Sequence, residues 1–135
     1  MKIKIISSRE EIYSLRSNEK AVHLSFRPSN VDFLNLIKKS PRLQMIQVPP
    51  SYMRTMSKAI GVFLEMQGVN LLEGDVWGHR KDIDEYFTVP DEALNAIKSL
   101  AKEGASAEEI AKEVQKTSKL GKGLIEYIAK TEIAA

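Results

Sequence analysis

Four short apolar runs, Ile3 to Ile6, Ala21 to Phe26, Leu43 to Val48 and Val69 to Leu72, recur about 20 to 25 residues apart, with one amphipathic segment between successive runs. Runs of this length are strand-sized. A helical segment between each pair is the pattern of a parallel sheet built with right-handed crossovers. The same rhythm fits a solenoid, since leucine-rich repeats place a strand and a helix in 20 to 29 residues. No Asn recurs at the turn, however, and three or four units are few without caps, so the spacing predicts a compact open α/β domain with a four-stranded parallel sheet.

Punctuation between the runs agrees with this reading. Ser8 and Glu11 have the spacing of a capping box, opening a helix that carries Ile12 and Leu15. Pro28-Ser29-Asn30 opens a second helix with Phe33, Leu34 and Ile37 as its buried stripe, stopped by Pro41. Ser51 is expected to cap the longest helix, carrying Met53, Met56, Ile60, Phe63 and Leu64 to the Gln67-Gly68 stop. Met53, Met56 and Met66 read as core-filling side chains.

After the fourth run the pattern changes. Pro90-Asp91-Glu92 starts a helix with Ala93, Leu94, Ile97, Leu100 and Ala101 on one face, ended by Gly104. Ser106 to Glu109 is a further capping box, leading into Ile110, Ala111 and Val114, and a third helix carries Leu124, Ile125 and Ile128. The expected division is an α/β domain over residues 1–88 and a three-helix appendage over 89–135. The run Ile97 to Val114 resembles the first two helices of many bacterial and archaeal helix-turn-helix domains, in which a small residue such as Ala111 lets the recognition helix approach closely. It departs from them after Gln115, where a long turn reaches Gly121 and delays the third helix to Gly121–Gly123.

Composition excludes several classes. Among 135 residues, 43% are hydrophobic and 28% charged, and no run approaches the roughly 20 apolar residues of a bilayer span. No membrane partner is expected. The opening Met1 to Ser8 lacks the apolar core and cleavage site of a signal peptide. Without cysteine there is no disulfide, thiolate metal site or cysteine nucleophile, and a reducing cytoplasm is the expected location. No cofactor or metal ligand set is implied.

In open parallel sheets ligands bind beyond the carboxyl ends of the strands, where helix starts present free N–H groups. Three of these turns join a serine to an arginine, and Ser8, Arg27, Ser29, Asn30, Ser51, Tyr52 and Arg54 are the candidate holders of an anionic small molecule. Each serine has a plainer use as a helix cap. The fourth turn, Glu73 to Asp82, holds the only tryptophan, and Trp77 and Arg80 join the candidate ligand set. It also offers an enzyme reading, with His79 as acid/base, Asp75 or Asp82 orienting it and arginines holding a phosphorylated or carboxylated substrate. His23, mid-strand, reads as a hydrogen-bonded structural histidine.

Charge is uneven. Residues 1–90 carry a net +3 with all six arginines, and residues 91–135 a net −1 with none. The segment Lys112 to Lys122 is nevertheless +3, through Lys112, Lys116, Lys119 and Lys122 against Glu113. Those lysines are the candidate phosphate contacts for nucleic acid, while the missing arginine gives no support to guanine reading.

The stretches His23-Leu24-Ser25-Phe26-Arg27-Pro28-Ser29-Asn30, Pro50 to Thr55, and Phe63 to Gly68 running into Leu71 to Ile83 resemble an uncharacterised protein family of methanogenic archaea, a domain of unknown function. The resemblance spans nearly the whole chain. It implies an archaeal cytoplasmic protein and assigns no activity. The leading expectation is therefore a ligand-responsive binding protein whose C-terminal helices contact nucleic acid or a protein partner. The alternatives are the enzyme above and a structural subunit of a homo-oligomer.

Overall fold

The computed structural model describes residues 1–76 and 86–134. The chain divides into two compact units, Met1–Phe87 and Thr88–Ala135.

In the first unit, β1 (Lys2–Ile6) leads into a 3-10 helix (Arg9–Ser14), β2 (Ala21–Leu24) into α1 (Asn30–Lys39), and β3 (Met45–Val48) into the short α2 (Pro50–Met53) and then α3 (Lys58–Met66). β4 (Asn70–Glu73) follows, and β5 (Tyr86–Thr88) ends at the boundary of the units. The sheet order is β4-β3-β2-β1-β5. β1 to β4 are mutually parallel and strictly in register of sequence, with Lys4 beside Val22, Val22 beside Ile46 and Ile46 beside Leu71. The four expected strands are all present, and a fifth joins at β1. Its three residues are too few to carry a period.

Because every parallel step moves the same way, crossovers of one hand put all their helices on one face. The core shows this layering. Ile6, Val22, Leu24, Ile46 and Val48, alternate residues of their strands, pack with Ile12 of the 3-10 helix, Phe33 and Leu36 of α1, and Ile60 and Leu64 of α3. Strands laid down in chain order with one helical layer are the arrangement of an αβ solenoid, so this unit has the sequential layout of the repeat architecture within a five-stranded sheet. On the other face Ile3, Ile5, Ala21, His23, Met45 and Gln47 are buried as well.

Three local readings are corrected. The helix expected to run from Ser51 is two helices. Thr55 Oγ1 donates back to the Tyr52 carbonyl at 3.1 Å, and Ser57, rather than Ser51, caps α3 by accepting from Ile60 N at 3.3 Å. Short hydroxyl side chains that bond nearby backbone compete with helix continuation. On α1, Leu36 takes the buried place expected of Leu34, which is 43% exposed. Met66, expected in the core, is 79% exposed, whereas Met53 and Met56 pack against the core. Gly68 and Gly104 end α3 and the first helix of the second unit at φ of 75° and 87°, a conformation glycine adopts without a Cβ clash.

The second unit is three helices, α4 (Asp91–Lys102), α5 (Ala107–Gln115) and α6 (Lys122–Ala134), each in contact with the other two. Ala93 and Ile97, Ile110, Ala111 and Val114, and Leu124, Ile125, Ile128 and Ala129 are their buried residues. Among the described residues no helix is long and apolar enough to cross a membrane.

Candidate functional site

The carboxyl edge of the parallel strands brings Ser8, Arg27, Ser29, Asn30, Ser51, Tyr52, Arg54 and Asp75 to one end of the sheet. Two of its helix starts are filled by the chain's own carboxylates. Glu11 accepts from the backbone N–H groups of Ser7 and Ser8, completing the capping box at the 3-10 helix. At α1, Asp32 accepts from Ser29 N at 2.7 Å and from Arg9 Nε at 2.8 Å. Asp32 is 1% exposed. Burial by itself pushes its carboxyl up, but the Arg9 hydrogen bond, followed by those of Ser29, outweighs burial and holds it below the ordinary carboxylate value. Asp32, which the sequence reading passed over, thus takes the Ser29 N–H and places a negative charge at the helix start where an external anion at Ser29 would sit.

Arg27 remains directed by its own contacts. Its guanidinium lies over the Tyr52 ring, 4.9 Å from the centroid, and donates to Thr55 Oγ1. That packing holds an exposed cation in one orientation. Asn30 Oδ1 accepts from Ser57 Oγ at 3.3 Å, linking α1 to the start of α3. Ser51 and Arg54, on and just after α2, are exposed. Trp77, His79, Arg80 and Asp82 lie outside the described residues.

Deeper on the same edge is a polar cluster. His23 and Gln47 are directly paired across β2 and β3, both fully buried, and the ring Nδ1 lies 2.8 Å from Gln47 Oε1. With that oxygen toward the ring, Nδ1 carries the proton. Asp75 Oδ1 is 3.5 Å from Nε2, so one of the two carboxylates expected as alternatives beside His79 faces His23. His23 is the hydrogen-bonded histidine its position implied. Gln47 Nε2 and Ser25 Oγ are buried, with no hydrogen-bond partner among the described residues. Gly74 makes room for the amide, because a Cβ there would fall 2.7 Å from Gln47 Nε2. Gln47 was missed because a lone glutamine in an apolar strand has no motif to mark it.

In the second unit Lys112 lies on α5, Lys116 and Lys119 in the connection and Lys122 at the start of α6, all exposed. Lys116 pairs with Glu113 at 2.9 Å, and Lys122 lies 3.7 Å from Glu126. The long turn anticipated after Gln115 is present, with α6 starting at Lys122. Burial pushes the Tyr127 phenol above its ordinary value.

Residues 2–85 match the model of the Family of unknown function (DUF1699) N-terminal domain, and residues 92–130 match the DUF1699 C-terminal HTH domain. The chain belongs to the DUF1699 family. Neither a curated protein nor a solved structure matches it. The two DUF1699 matches fall on the sheet unit and the three-helix unit respectively, and a helix-turn-helix domain is compatible with nucleic-acid binding. Among the described residues no group of three His, Cys, Asp or Glu side chains is arranged to hold a metal ion.

Proposed function

We propose that this DUF1699 protein is a ligand-responsive nucleic-acid-binding protein. The observation that carries the reading is the helix-turn-helix match over residues 92–130, on three packed helices with Lys112, Lys116, Lys119 and Lys122 exposed along α5, the connection and the start of α6. Gly121 and Gly123 flank Lys122, so little side-chain bulk separates the first turn of α6 from an approaching phosphate. With no arginine in residues 91–135, contact is to the sugar-phosphate backbone more than to guanine edges.

The effector is an anionic small molecule held by Arg27, Tyr52 and Arg54, with Asn30 and Ser51 beside them. The hydroxyls of Ser8 and Ser29 serve first as caps. Support comes from the packed, exposed Arg27 guanidinium and from two buried groups at the same edge, Ser25 Oγ and Gln47 Nε2, that have no partner among the described residues. Such groups are costly until a ligand or water satisfies them.

The test is fluorescence anisotropy with a labelled duplex over a salt series. Affinity is expected to fall linearly on logarithmic axes. Replacing Lys116, Lys119 and Lys122 with Ala should lower the slope by up to about 0.9 per lost phosphate contact. No binding at low salt, or an unchanged slope, overturns the nucleic-acid half. A second arm titrates inorganic phosphate and follows Tm, which should rise for the wild type and stay flat for Arg27→Ala. A flat wild-type response overturns the anion half alone.

A further inference from the structure

α6 buries one side and carries a polar stripe on the other. Leu124, Ile125, Ile128 and Ala129 are its buried residues, and Gly123, Glu126, Tyr127 and Lys130 follow the i, i+3, i+4, i+7 spacing of the opposite side. Glu126 is the acid among them. Its carboxylate lies 3.7 Å from Lys122 Nζ, and Lys130 follows one turn further on. The pair gives the helix little, because the two side chains are 61% and 25% exposed and lysine ahead of glutamate is the weaker order for an i, i+4 pair. On a surface that meets phosphates, a carboxylate between two lysines also opposes the polyanion. What it can gain there is a hydrogen-bond donor on a base edge.

We infer that the nucleic acid is duplex DNA and that Glu126 reads a cytosine in its major groove, an inference that rests on the nucleic-acid role proposed above. An α-helix fits the major groove of B-form DNA, whereas that of A-form RNA is too deep and narrow for side chains to read. In helix-turn-helix domains the helix after the turn brings residues near its start to the base edges. Gly123 and Glu126 are the first two positions of the outward stripe of α6, and Gly123 has no side chain, so Glu126 is the first to reach out. A carboxylate only accepts hydrogen bonds. In the major groove guanine presents the N7 and O6 acceptors, thymine the O4 acceptor and a methyl group, adenine its N6 amine beside the N7 acceptor, and cytosine the N4 amine alone. Glu126 therefore favours cytosine, is repelled by guanine and thymine, and is only half matched to adenine. Lys122 and Lys130, a turn to either side, offset its charge against the flanking phosphates.

Selection by the full chain from a randomised duplex DNA pool tests it, with the bound sequences read for the wild type, Glu126→Gln and Glu126→Ala. The wild type should enrich a site with one position held as cytosine. Glu126→Gln, nearly the same in shape, should move that position to adenine, because an amide donates to N7 and accepts from the N6 amine together. Glu126→Ala should keep the rest of the site and lose the preference there. Exchanging that cytosine in the selected duplex should weaken wild-type binding about tenfold in anisotropy titrations, and binding by Glu126→Ala by less than about twofold. Unchanged circular dichroism and Tm in both variants confirm that the fold is intact. A wild type that binds all sequences alike overturns the inference and leaves the nucleic-acid role standing, as does a cytosine position that neither variant alters. Tighter binding to duplex RNA than to duplex DNA overturns it too. Absence of binding to any duplex at low salt overturns the nucleic-acid role itself, and this inference with it.

Discussion

Gly74 and Gln47 form a pair in which one residue's absent side chain makes space for the other's amide. An alanine methyl at 74 would meet Gln47 Nε2 at 2.7 Å, inside any normal contact, and the fully buried glutamine has little room to yield. Gly74→Ala should therefore destabilise the fold by roughly 1–3 kcal/mol, the usual cost of overpacking. The cost should largely vanish in a Gln47→Ala background, where the overlapping atoms are gone. Chemical denaturation of the two single variants and the double variant measures this coupling. Additive effects would show that the amide moves aside freely. Of this cluster, the sequence revealed His23 as a structural histidine, while its partners were hidden. Gln47 and Asp75 belong to different strands' ends, and their meeting depends on register across three strands.

At the scale of elements, the starts of the 3-10 helix and α1 are closed by internal carboxylates, and α1 carries a pH consequence. Asp32 is held below its ordinary value by Arg9 and Ser29 against the opposing effect of burial. A carboxyl lowered in the folded state adds stability that is complete above the unfolded value of about 3.9 and is lost as pH falls through the folded value. Tm should thus decline on acidification below about pH 4. Asp32→Asn should be less stable near neutrality and show a shallower acid decline, read by thermal melts from neutral pH into the acid range. An equally steep decline in the variant would place the acid sensitivity on other carboxylates. Capping boxes were legible because they are local: Ser8 with Glu11 needs four consecutive residues. The split between α2 and α3 was not, since Met53, Met56, Ile60 and Phe63 keep a helical period straight through Arg54–Ser57. There the decision lies with backbone bonds of Thr55 and Ser57. Leu34 and Met66 failed as core assignments for a related reason. Periodicity defines a stripe on a helix, but the width buried is set by the neighbours it meets.

For the whole molecule, the strand rhythm conveyed the parallel α/β sheet, caps and apolar faces conveyed the three C-terminal helices, and the DUF1699 matches fall on the same two regions. Strand order was not legible, because equal spacing serves a doubly wound sheet and a sequential one alike. The sequential outcome bears on the ligand argument: no reversal among β1 to β4 creates a crevice, so any site at that edge rests on its side chains. It bears also on how the sheet comes together. Each of the first three strands finds its partner in the next strand of the chain, so assembly from β1 to β4 can advance like a zipper without closing a long loop. Opening should retrace that path. Native-state hydrogen exchange is expected to show the β4 amides exchanging first and those of β2, flanked on both sides, last. Uniform protection across the four strands would mean that the sheet opens all at once. A chain that opens from β4 loosens the strand next to α3 first, so a protease acting on the native protein should make its earliest cut in the sheet at that end.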